Sequence, residues 1–139
     1  MHKIIGEKKN VSYVDRVGAY LLPFKDGKIG IAQTPKGFFL LGGGLEEKES
    51  DAACIQRECL EEIGYKVLIK EKLCSGEMYY FSSSIGYFHP IQTYYTGELL
   101  FQCIEPIEKS HTLVWKNPEE LIGKMVLEIQ SWAIEQAIK

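Results

Sequence analysis

The sequence predicts a layered domain of the α/β class, on three observations. Strand-like runs of alternating or continuous apolar residues lie on both sides of one short helix. That helix, from about Ser50 to Ile63, stands between two strand regions. A second apolar-periodic stretch closes the chain as an amphipathic helix. Such an order fits α/β or α+β layering, and spacing alone does not separate the two. With 139 residues the chain has the length of one ordinary domain, so residues 1–139 are expected to share one core.

The elements follow in order. Val11 to Phe24 is mostly apolar from Val17 onward and ends near Pro23, which reads as a first strand. Lys25-Asp26-Gly27-Lys28 is a hairpin turn, because Asp-Gly tolerates the positive φ of a two-residue turn. The returning strand, Lys28 to Gln33, places Ile29 and Ile31 on one face. Thr34-Pro35-Lys36-Gly37 turns the chain again, and Phe38 to Leu41 delivers it as a short strand into Gly42, Gly43 and Gly44. Ser50 is a good helix N-cap, Asp51 suits the positive end of the dipole, and Gly64 supplies the left-handed residue that ends the helix. Tyr65 to Leu73 alternates, with Tyr65, Val67, Ile69 and Leu73 on one side and lysines on the other. Glu77 to Phe81 and Pro90 to Ile104 read as two paired strands joined by a polar, serine-rich connection. Thr112 to Lys116 is a further strand, and Asn117-Pro118-Glu119-Glu120 opens a brief helix with a cap, a proline and an acidic first turn. From Lys124 to Ile138, Val126, Ile129, Ala133 and Ala137 recur at helical spacing.

Hydrophobic residues make up 45% and charged residues 25%, which is ordinary for a globular chain. The apolar runs are strand-sized and the first ten residues are polar, so neither a spanning helix nor a secretory signal is expected, and the cytoplasm is the expected compartment. The cysteines, Cys54, Cys59, Cys74 and Cys103, show no zinc-ligand spacing, and disulfides are not expected. A net charge of −3 gives no footprint for a nucleic-acid polymer, while a small nucleotide stays open because a metal ion can screen its phosphates. Arginine occurs only as Arg16 and Arg57. Phosphate contacts beyond a metal must therefore come from lysines, backbone amides or Arg16, which otherwise reads as a solvated residue at a strand start.

The helix carries the chemistry. At about 100° per residue, Glu58, Glu61 and Glu62 share one arc roughly 100° wide with Arg57 at its edge, while Ala52, Ile55, Cys59 and Ile63 form a packing face. Three carboxylates on one arc repel, by roughly 0.2 to 0.5 kcal/mol for the Glu58/Glu62 pair alone. A hard divalent cation would neutralise that face, since clustered oxygen ligands suit Mg²⁺ or Mn²⁺. Taken alone, three acids on a helix would more simply be a solvated surface with an Arg57 to Glu61 pair.

More than the helix has to be explained. Gly43, Glu49, Arg57-Glu58, Glu61-Glu62, Gly64 and the final amphipathic Tyr65 stand in one fixed spacing, and the stretch from Gly43 to Tyr65 resembles the signature of the Nudix hydrolases. Departures are small: Cys59 fills a slot where a branched aliphatic residue is usual, Leu41 stands where many members have proline, and Lys48 where many have glycine. The resemblance implies a mixed sheet sandwiched between helices, an α/β/α arrangement over essentially the whole chain. It also implies Mg²⁺- or Mn²⁺-dependent hydrolysis of a nucleoside diphosphate linked to another moiety, and makes a homodimer reasonable. Carried over by residue, Glu58, Glu61 and Glu62 are the metal ligands, with Glu58 also positioning or deprotonating water. Arg57 orients them, Glu49 braces the loop or binds a further ion, and the Gly42 carbonyl is an extra ligand. Family members often recruit one more acid downstream; Glu108 is the first choice, with Glu98 and Glu77 as alternatives. A nucleotide-sensing domain without turnover is the competing class, and it would be expected to have eroded ligands.

Selectivity must come from outside this box. Nucleoside triphosphates rank first because the chain lacks inserted loops; dinucleoside polyphosphates, ADP-ribose and nucleotide sugars share the same diphosphate. Tyrosines crowd the strands after the helix, and adjacent residues of a strand face opposite ways. At least one of Tyr79, Tyr80, Tyr94 and Tyr95 is therefore expected to stack on the substrate, the others covering sheet surface or a dimer contact.

Overall fold

The computed structural model describes all residues from Met1 to Lys139. Nine strands and three helices follow in the order β1 (His2–Ile5), β2 (Val14–Lys25), β3 (Lys28–Thr34), β4 (Gly37–Phe39), β5 (Leu41–Gly44), α1 (Asp51–Ile63), β6 (Tyr65–Met78), β7 (Tyr80–Ser82), β8 (Gly86–Gln102), β9 (Thr112–Lys116), α2 (Pro118–Leu121) and α3 (Glu128–Ala137). The sheet is mixed. Its main path is β1-β6-β8-β2-β3-β4, with β5 on β2, β7 on β8 and β9 on β3; β1 runs parallel to β6 and β2 parallel to β8.

Strand β2 organises the molecule. Its period-2 alternation sends Ala19 and Leu21 to one face, against Cys54, Ile55, Cys59 and Ile63 of α1, and Leu22 to the other, against Ile129, Ala133 and Ile134 of α3. Two apolar layers thus lie on opposite faces of one sheet, with a helix outside each. The predicted turn joins β2 to β3 through Asp26 and Gly27, both at positive φ (53° and 79°). No helix is long and apolar enough to cross a membrane.

Three elements differ from expectation for identifiable reasons. Ser75 and Gly76, which fall between the runs Tyr65 to Leu73 and Glu77 to Phe81, lie inside the continuous strand β6, because β8 pairs along one edge (Ser75 with Thr93, Gly76 with Gln92) and β1 along the other. Ile129 packs directly over Gly76, where a Cβ would come 2.5 Å from its Cδ1 and force it to shift. Strand β1, which lacks an apolar pattern, owes its conformation to that pairing. The last helix starts at Glu128 rather than Lys124, because Val126 N–H donates to the Phe38 carbonyl at 3.0 Å and holds the preceding residues extended beside β4.

Candidate active site

Helix α1 is fixed at both ends as its sequence dictates. The Ser50 hydroxyl accepts from Ala53 N–H at 3.1 Å, and Gly64 turns left-handed (φ 76°) so that its N–H reaches the Cys59 and Leu60 carbonyls. With Cys54, Ile55, Cys59 and Ile63 packed inward, the acidic arc turns towards the glycine strand β5. Pairing of β5 with β2 directs the N–H and C=O groups of Gly42 and Gly44 away from β2, and the helix uses them. Gly42 N–H donates to Glu62 Oε1 at 3.0 Å, and the Gly44 carbonyl accepts from Arg57 Nη2 at 3.0 Å. At Gly43 a Cβ would lie 2.5 Å from the Glu58 carboxyl carbon, so a side chain there would displace that carboxylate.

Arg57 is the hub. It grips both oxygens of Glu49 in a fork, Nε to Oε2 and Nη2 to Oε1, each at 2.8 Å, while Nη1 donates to Glu58 at 2.6 Å and to Glu61 at 3.3 Å. Glu49 Oε1 also accepts from the Glu46 N–H at 2.9 Å. The Arg57 hydrogen bonds lower the Glu49 carboxyl to about pH 2, and the same pairing raises the guanidinium's own pKa. Of the two roles open to Glu49, the geometry serves bracing.

The acids are buried to different depths. Glu62 is only 5% exposed, and burial drives its pKa well up against the single opposing bond from Gly42, with the charges of Glu58, Glu108 and Glu61 adding to the rise. Burial likewise raises Glu58, opposed by Arg57. Arg57 does not reach Glu62, whose neighbour on that side is the His111 ring, with Nε2 at 3.5 Å from Oε2. Glu108 joins this edge. The last carbonyls of a helix have no partner within it, and the Glu61 carbonyl accepts from Ile107 and Glu108 N–H at 3.0 and 2.9 Å, so the loop is tied to the end of α1. Ligand atoms of Glu58, Glu61 and Glu108 lie within 4.8 Å of one another, as do those of Glu62, Glu108 and His111. A buried carboxylate with raised proton affinity, crowded by like charges and offering oxygen donors, fits a hard divalent cation.

Glu58, Glu62 and Glu108 open onto a cleft of about 930 Å³, whose walls include Arg16, Tyr20, Phe39, Gly42, Gly43, Tyr80, Phe81, Phe88 and Gln92. Arg16 is exposed at the start of β2, and its side chain packs over Gly44, where a Cβ would meet Nε at 2.8 Å. Of Tyr79, Tyr80, Tyr94 and Tyr95, at least one of which is expected to stack on substrate, only Tyr80 lines the cleft. Tyr94 is fully buried in the α3-side core, donating to Gln92 Oε1 at 2.7 Å, because alternation along β8 turns it inward. Tyr95 points to the α1 side and donates to Asp51 at 2.6 Å; burial and that bond push its hydroxyl up to about 12. Tyr79 stacks on His89, ring centroids 4.2 Å apart, and donates to Glu77. Glu77 itself is held by His2 and His89, and Glu98 pairs with Lys70, so neither alternative to Glu108 stands at the acidic edge. His111 does not stand out in the sequence; its spacing of three from Glu108 is the signal that could have found it. Tyr20, Phe39 and Phe88 were missed as cleft residues because they also read as ordinary strand hydrophobics.

The NUDIX domain family matches residues 13–136. Among solved structures, a NUDIX hydrolase from Nitrosomonas europaea superposes with a TM-score of 0.73 at 20% identity, over 90% of this chain and 89% of that one. A MutT NUDIX hydrolase from Burkholderia pseudomallei gives 0.70 at 20% identity, over 88% and 98%. A UDP-X diphosphatase gives 0.63 at 18%, over 94% and 67%. At these identities the structures show a shared fold. A search of curated protein sequences finds no significant match. The mixed sheet between helices and the acidic helix on its glycine strand place the chain among the pyrophosphohydrolases, and it belongs to the NUDIX family.

Proposed function

We propose that the protein hydrolyses a phosphoric anhydride bond in a nucleoside diphosphate linked to another moiety, with nucleoside triphosphates or modified nucleotides as the favoured class. One observation carries this reading: the carboxylates of Glu58, Glu62 and Glu108, the cation of Arg16 and an aromatic wall of Tyr20, Tyr80 and Phe88 open onto the same cleft. A diphosphate end and a planar end can therefore occupy it together.

Glu58, Glu61, Glu62 and Glu108, with the Gly42 carbonyl beside them, would hold Mg²⁺ or Mn²⁺, which when bound neutralises phosphoryl oxygens and acidifies water. The chain's own groups do the rest. Arg57 holds one Glu58 oxygen, which orients the carboxylate to accept a proton from the attacking water as the P–O bond to the leaving phosphate breaks. Arg16 supports phosphate charge at the cleft wall. Tyr80 offers a face on which a base can stack, an interaction worth about 1 to 3 kcal/mol.

The test is a panel of nucleoside triphosphates, dinucleoside polyphosphates, ADP-ribose and nucleotide sugars, assayed with and without Mg²⁺ and with products identified. Metal-dependent release of a nucleotide product from one class supports the proposal. Tight binding without turnover of any of them would replace it with the sensing role.

A further inference from the structure

The amide nitrogen of one buried cleft side chain is left without a protein partner, and its orientation is forced. The Leu40 backbone N–H can only donate, and it donates to Gln130 Oε1 at 2.8 Å. That fixes the Gln130 amide, so its Nε2 is a donor, and it donates to Gln92 at 3.1 Å. Gln92 must therefore present its oxygen, which also accepts the Tyr94 hydroxyl at 2.7 Å. Both oxygen lone pairs are spent inside the core. The Gln92 amide nitrogen faces the other way, with no hydrogen-bond partner in the chain. No polar side-chain atom of this protein is both fully buried and unbonded, so this nitrogen opens into the cleft that Gln92 lines. The residue as a whole is only 3% exposed.

Its surroundings leave room for a ligand. Along β8, Phe88, Pro90 and Gln92 share the cleft face. The residues paired with Gln92 on the neighbouring strands are both glycines, Gly18 and Gly76, so neither strand raises a side chain beside the amide. Gly76 is covered by Ile129 from α3, and Tyr20 stands one turn of the pleat beyond Gly18. A buried donor among apolar and aromatic walls, in the cleft that also holds the acids, is a recognition group.

We propose that Gln92 determines specificity by donating a hydrogen bond to a keto oxygen on the planar end of the substrate. A free glutamine commonly recognises an amino-purine edge by offering an acceptor and a donor together. Gln92 has no acceptor left to offer. An exocyclic amine brought against it sets donor against donor and leaves both unpaired, so the site favours a keto base over its amino counterpart. This inference rests on the nucleotide-hydrolase reading above and names the feature of the substrate that the cleft selects.

The experiment compares base pairs differing at that group, inosine against adenosine triphosphate and uridine against cytidine triphosphate. The wild-type protein should favour the keto member of at least one pair by about tenfold or more in kcat/KM. Gln92→Glu keeps an oxygen for Tyr94 and Gln130 and replaces the donor with an acceptor, so the preference should shift towards the amino member. Gln92→Met, which carries no buried charge, should bring the ratio towards one and raise KM more than it lowers kcat, without moving the Mg²⁺ dependence. A ratio unchanged in both variants overturns the assignment. If none of the four triphosphates is turned over, the hydrolase reading fails for that class. Equilibrium binding of the same nucleotides still reads Gln92, and equal affinity within both pairs, or no binding, overturns the proposal.

Discussion

Replacing Arg57 by alanine isolates the hub of the acidic helix. The side chain is 23% exposed and donates to Glu49, Glu58, Glu61 and the Gly44 carbonyl, so its loss strands two carboxylates that are themselves 11% and 14% exposed. Removing one partner from a buried hydrogen-bonded charge pair costs roughly 3 to 5 kcal/mol. Water reaches part of this network, so the lower end applies, about 3 kcal/mol. With an unfolding entropy of about 2.1 cal/mol/K per residue, a chain of this length should lose roughly 10 °C in Tm. Arg57→Lys keeps the charge and loses the two-pronged grip on Glu49, and should fall between alanine and the wild type. Thermal unfolding by circular dichroism in metal-free buffer measures both. An alanine variant melting within about 3 °C of the wild type, or a lysine variant melting with it, would refute the claim that this fork holds loop and helix together.

Other outcomes follow from the same geometry. Tyr80→Ala should raise KM several-fold with kcat retained, because it removes binding made equally in ground and transition states; an unchanged KM takes Tyr80 out of the binding wall. Glu108→Gln should shift the Mg²⁺ activation curve to higher concentration, and a wild-type curve removes Glu108 from the metal edge. Glu77 is held below its ordinary carboxyl value of 4.5, first by hydrogen bonds from His2 and His89. The unfolded chain therefore takes up that proton first as pH falls, so the contribution is full above about pH 4.5 and is lost below it. Glu77→Gln should be less stable at pH 7, and the deficit should shrink towards pH 3, which urea unfolding across that range would show.

Much of the site was legible because it is local in sequence. Ser50, Asp51 and Gly64 mark the helix ends through caps that involve near neighbours, and helical spacing alone gathers Glu58, Glu61 and Glu62. What could not be read depends on groups without residue identity or on distant pairing. The Glu61 carbonyl that anchors the Glu108 loop would be there whatever the side chain. The Gln92 orientation passes through Gln130 and the Leu40 backbone, contacts 38 and 90 residues apart in the chain. The tyrosine pairs show the limit well. Alternation correctly sends Tyr94 and Tyr95 to opposite faces, but only the positions of α1 and α3 decide that one face is core and the other meets Asp51. Strand β1 and the extended residues before α3 are likewise set by pairing with β6 and β4, which local propensity does not encode.

The most direct test of the central claim is the turnover of Glu62→Gln across a Mg²⁺ titration, with the best nucleotide substrate at saturation. The amide can still accept the Gly42 N–H while the buried charge is removed, so the variant should fold and, without metal, melt at or slightly above the wild-type temperature. The account predicts that this folded protein loses nearly all hydrolysis at every Mg²⁺ concentration, whereas the wild type rises and saturates. Wild-type turnover by Glu62→Gln at saturating Mg²⁺ would contradict it.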